Sequence, residues 1–121
     1  MKKEHCFMML FRYIPDFEYQ PTLQEQADIK EQWGTFIGTI AIKEKLVHTY
    51  QLGFEGRQLM PDQQLSNEIL IHQKQTLSGT MTVKANSIEE VTEMAKSCPI
   101  LKIGGTVEIR TCLLYTSPSP R

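Results

Sequence analysis

Apolar residues crowd both parities of the segment HCFMMLFRYI (residues 5–14), with Phe7, Met9 and Phe11 on one and Cys6, Met8 and Leu10 on the other. A run this short, bounded by charge on one side and by Pro15 and Asp16 on the other, predicts a strand. Successive side chains of a strand point to opposite faces, so this one demands cover on both. The period then changes. Over residues 21–46, Ile29, Trp33, Phe36, Ile37 and Ile40 fall within about 100° of arc at the helical 100° per residue, which predicts a long helix with one core-facing stripe. Thr22 followed three residues on by Glu25 is the reciprocal capping arrangement of its start. Gly34 and Gly38 weaken it locally, by roughly 1 kcal/mol each relative to Ala where exposed.

LVHTYQLGF (46–54) reads as a second strand ended by Gly53, and GFEGRQLMPDQQ (53–64) as a turn-rich loop around Gly56 and Pro61. NEILIHQ (67–73) and LSGTMTVKA (77–85) then predict a hairpin joined through QKQT. A second helix starts at Ser87, again with Glu three residues on, and Ile88, Val91, Met94, Ala95 and Cys98 cover about 120° of its arc. Pro99 stops it, ILKIGG turns the chain, and TVEIR (106–110) closes as a strand. The order is β-α-β, a hairpin element, then α-β. It predicts an α+β fold, a ferredoxin-like sandwich with an antiparallel sheet and two helices on one face. The other face is bare in a monomer. The two-sided first strand therefore predicts a homodimer in which a second copy covers that face, sheet against sheet.

Composition narrows the partners. The 121 residues hold 13 basic and 14 acidic side chains, for a formal charge of −1, and no cationic run is longer than Lys2-Lys3. A near-neutral chain lacks the electrostatic footprint of a nucleic-acid binder. The apolar stretch 6–11 is too short for a signal core or a membrane span, and few cysteines with no secretory signal fit reduced thiols, so a cytoplasmic protein is expected. The last stretch shares nothing with the strand before it. Residues 112–121, CLLYTSPSPR, resemble the in-frame translation of a transposon-end sequencing adapter, and we expect them to be a non-native tail. The domain to interpret is then residues 1–111. Without Arg121 the 13 basic residues become 12 and the formal charge becomes −2.

The stretch LSGTMTVKANSIEEVTEMAKSCPILKIGGTVEIR resembles the second half of the YCII-related (YciI-like, DGPF) domain family. The matching features are a strand start of the "LGG" kind, an "S-x-x-E" helix start, a "CP" break and a closing "G-x-x-E-x-R" strand. FMMLFRY and EQWGTFIGTIAIKEKLV resemble the family's first strand and first helix. The resemblance implies a ferredoxin-like fold, a dimeric α/β-barrel and a cavity between the sheet and its partner, with no assigned biochemical function. Two departures bear on chemistry. The family's namesake DGPF is replaced by Asn67-Glu68-Ile69-Leu70, and the histidine considered catalytic in one branch falls at Trp33. An amide takes up no proton as a carboxylate does, and an indole is no base.

The candidate chemistry lies on the face turned from the helices. If Met81, Val83, Val107 and Ile109 face the helices, strand alternation turns Thr80, Thr82, Lys84, Glu108 and Arg110 the other way, joined by Arg12 if it shares that face. Arg12, Lys84 and Arg110 are candidate ligands for a small anion, with Trp33 and Asn67 added at the family's positions. The alternative is that Glu108 and Arg110 are a solvated strand surface, and that Trp33 is core. His48 and Tyr50 share a parity, and His48 and Glu108 are the weak candidates for acid/base catalysis. His72 ends another predicted strand. No CxxC, HxH or HExxH spacing points to a metal, nothing points to a cofactor, and GFEGRQ lacks the spacing of a phosphate loop. Two function classes follow: a homodimeric small-molecule-binding or regulatory module, or a small dimeric-barrel enzyme doing acid/base chemistry on a small polar substrate.

Overall fold

The computed structural model describes residues 4–16 and 18–113. Its elements run β1 (His5–Tyr13), α1 (Leu23–Ile42), β2 (Leu46–Gln51), β3 (Gln58–Leu59), β4 (Leu65–Ser66), β5 (Thr76–Ala85), α2 (Ile88–Ala95), a 3-10 turn (Pro99–Ile103) and β6 (Thr106–Thr111). Four strands form one sheet in the order β2-β5-β1-β6, and every neighbouring pair is antiparallel. This α+β arrangement, two helices against a four-stranded antiparallel sheet, is compatible with a ferredoxin-like fold.

Local chemistry explains where the helices start. The Thr22 hydroxyl accepts from the Glu25 N–H at 3.1 Å while the Glu25 carboxylate accepts from the Thr22 N–H at 2.9 Å, so two orphan donors are satisfied reciprocally. At α2 the Ser87 hydroxyl accepts from the Glu90 N–H at 3.2 Å, but Glu90 reaches past Ser87 to the Asn86 N–H at 2.8 Å. Helix α2 ends at Ala95, before Pro99, which opens the 3-10 turn instead. Gly104 closes that turn at φ +82°, a conformation that favours glycine.

Both helices lie on one face of the sheet. Phe36 and Ile40 of α1 and Val91 and Ala95 of α2 share a single buried cluster with Phe7, Met9 and Phe11 of β1 and Met81 and Val83 of β5. Trp33 and Phe36 meet the Phe11 ring edge to face, at centroid distances of 5.3 and 6.5 Å. Cover over the sheet reaches only from Trp33 onward. Ile29, on the same helical stripe, is 45% exposed.

Two bulges set which side chains share a face. Leu46 pairs with Val83 and His48 with Thr82, which leaves Val47 as the extra residue of β2. Leu46 thus turns to the core, and His48 and Tyr50 turn away from it. In β5 the partners of Phe11 and Arg12 are Gly79 and Leu77, so Ser78 is the extra residue, and its hydroxyl donates to the Phe11 carbonyl at 3.2 Å.

The expected hairpin between NEILIHQ and β5 does not form. One bridge, His72 to Gln75, closes a turn whose central residues Gln73 and Lys74 have φ of 52° and 68°. A strand has two edges to offer, and those of β5 are taken by β1 and β2. With no edge to pair on, residues 67–71 run as loop, and His72 ends no strand. The preceding loop contains more order than its turn residues suggest, because β3 and β4 pair across Pro61-Asp62-Gln63.

Candidate functional site

The sheet register arranges the face opposite the helices in rows. One row reads Tyr50, Thr80, Leu10, Glu108 across β2, β5, β1 and β6, and the next reads His48, Thr82, Met8, Arg110. Arg12 stands one position beyond Glu108, opposite Thr106 and Leu77. Polarity therefore changes across the sheet: charged on β6, apolar on β1, hydroxyl on β5, aromatic on β2. Among the described residues, both helices pack against the other side, and Met8, Leu10 and Arg12 are half-buried within this open face.

Glu108 is the centre of its charge. Arg12 Nη1 donates to Glu108 Oε1 at 2.6 Å, and Arg110 Nη1 donates to Glu108 Oε2 at 3.3 Å, so each oxygen of one carboxylate serves a different guanidinium. The hydrogen bond from Arg12 holds the Glu108 carboxyl below its ordinary range, with partial desolvation opposing and the Arg110 bond assisting. The charges do not cancel: two cations share one anion.

The other candidates are scattered. Lys84 shares the open face but stands opposite Cys6, about 20 Å along the strand from Arg12, where Glu4 is held mainly by its hydrogen bond from Lys45 and Lys84 adds the smallest pull. Trp33 lies on the far side of the sheet, edge-on to Phe11, so within one chain the sheet separates it from Arg12 and Arg110. Asn67 is exposed on the loop after β4. His48 and Tyr50 do share the open face, their rings stacked at 6.2 Å. His48 and Glu108 occupy opposite border strands, roughly 14 Å apart by strand spacing, and form no acid/base pair within a chain.

Elsewhere, a shallow groove of about 230 Å³ runs between α1 and α2, bordered by Phe36, Thr39, Lys43, Glu90 and Met94, on the side away from the arginines. Burial pushes the Cys98 thiol up to about 11, against a smaller opposing hydrogen bond from Ile100, so the thiol stays protonated at neutral pH. No group of three or more metal-ligating side chains occurs among the described residues. No helix among them is long and apolar enough to cross a membrane. Of the expected tail, Cys112 and Leu113 are described, and the Cys112 N–H donates to the Cys6 carbonyl at 3.0 Å; residues 114–121 lie outside the described residues.

Sequence reasoning named the charged members of the face and missed Leu77, which the Ser78 bulge turns toward Arg12. No family model matches the chain, and no curated protein matches it significantly.

Proposed function

We propose that the chain is a YCII-related, ferredoxin-like domain that pairs with a second copy sheet against sheet, as a dimeric α/β-barrel, and binds a small anion between the two sheets as a cytoplasmic binding or regulatory module. The observation that carries this reading is the open face itself. Arg12 and Arg110 converge there on one carboxylate, beside half-buried Met8 and Leu10 that none of the described elements covers. Apolar side chains flanked by charge on an uncovered sheet are the composition of an interface with a polar site inside it. The resemblance in LSGTMTVKANSIEEVTEMAKSCP points the same way. Binding is favoured over acid/base catalysis because His48 and Glu108 stand on opposite borders and Asn67 and Trp33 replace proton-carrying groups.

Light scattering behind size exclusion at micromolar concentration tests the pairing. The expected mass is twice the 13.9 kDa of the chain, and Arg110→Glu, which turns the cationic border anionic, is expected to abolish anion binding. A folded monomer that binds no anion refutes the proposal.

A further inference from the structure

The polarity gradient across the open face narrows the ligand. Glu108 already occupies the position between the two arginines, one oxygen to each, as a ligand's carboxylate would. Beyond it in the same row the neighbours are Leu10 and then Thr80 and Tyr50, so the surface turns apolar within one strand spacing, about 5 Å, of the cations. On β1 a phosphate or sugar acid would meet Leu10 and Met8 in place of donors, the nearest hydroxyls, Thr80 and Thr82, standing one strand further from the cations. An amphipathic anion finds both halves of its chemistry.

We infer that the ligand is a monocarboxylate with an apolar body, whose carboxylate displaces Glu108 from Arg12 and Arg110 while its body lies along Leu10 and Met8, about 7 Å apart on β1. This rests on the anion-binding reading above and adds two things to it: the apolar half of the ligand, and Glu108 as the internal occupant that an incoming carboxylate must replace. Glu108 then sets the affinity threshold. A strong carboxylate ligand with apolar contacts wins the exchange, whereas a small hydrophilic anion, gaining only what Glu108 loses, does not.

Octanoate is the probe, with acetate and inorganic phosphate as references, titrated into the full chain by calorimetry and followed by amide shifts. Wild-type protein is expected to bind octanoate at least tenfold more tightly than acetate or phosphate, with shifts concentrated in β1, β5 and β6. Glu108→Gln is expected to tighten octanoate by roughly tenfold, since it removes the competing charge and keeps the side-chain shape. Arg12→Gln is expected to weaken it by a similar factor. Glu108→Thr, which suits a strand, gives the same reading if the glutamine variant fails to fold.

The outcomes separate the two claims. Octanoate bound no better than acetate, or unchanged affinity in the folded Glu108 variants, overturns this inference and leaves an anion site standing. No binding of any of the three anions to wild type or variants overturns the anion-binding reading, and this inference with it.

Discussion

Deleting Val47 tests the feature on which the composition of the open face depends. Val47 is the extra residue of β2, flanked on one side by the Leu46–Val83 pair and on the other by the His48–Thr82 pair. The Lys45 carbonyl, one residue earlier, accepts from the Lys84 N–H at 2.7 Å, so the ladder is anchored on both sides of the bulge. Removing the extra residue joins two segments already in their final registers: Leu46 keeps its core position, and His48 and Tyr50 keep theirs on the open face. Val47 is 40% exposed, so little burial is lost and the expected change in stability is within about 1 kcal/mol. In an unbulged ladder the same deletion would invert one half of the strand. Either Leu46 would leave the core, at about 2 kcal/mol, or an imidazole would enter it without a partner, at about 1–3 kcal/mol more. Urea unfolding followed by circular dichroism distinguishes the cases. A loss of about 2 kcal/mol or more at unchanged slope would refute the bulge and with it the placement of His48 and Tyr50.

Two further outcomes are expected. Gly79→Ala places a methyl 2.6 Å from the Tyr50 carbonyl oxygen, a backbone atom that moves only with β2, and a loss of roughly 1–3 kcal/mol is expected in the same unfolding assay; an unchanged midpoint would contradict the close approach of β2 and β5. The Glu25 carboxyl is held below its usual value by the Thr22 N–H and then by the Tyr19 hydroxyl, so its contribution is present above the unfolded value near 4.5 and is lost as pH falls through the folded one. Glu25→Ala is accordingly expected to be less stable than wild type at pH 7 and to converge with it as pH falls through the lowered folded value, read from urea midpoints across the acid range; a constant gap would exclude the carboxylate.

The parts of this fold legible in the sequence are those governed by nearby residues. Thr22 with Glu25 and Ser87 with Glu90 announce the helix starts because capping spans three residues, and alternation along β5 and β6 assigns Met81, Val83, Val107 and Ile109 to the core side correctly. What escaped depends on partners far along the chain. Whether NEILIHQ pairs is decided by competition for the edges of β5, which β1 wins from more than sixty residues away. The grouping of Arg12 with Glu108 and Arg110 follows from the β1–β6 register, and alternation alone only permits it. Trp33 fits either a core or a pocket wall by period, and its half-buried place against Phe11 comes from packing that the period does not encode.

The Val47 bulge also bears on how copies of this chain can associate side by side. β2 and β6 are the two borders of the sheet, each with a row of backbone N–H and C=O groups turned outward. At β2 the bulge breaks that row near its start, leaving a strand that docks there a regular match only over His48 to Gln51. β6 pairs with β1 without interruption from Thr106 to Thr111. Head-to-tail growth into a fibre consumes one border of each kind at every step, so a single irregular border shortens the match that every step can make. The residue that turns a histidine and a tyrosine outward thereby also blunts one of the sheet's two open borders.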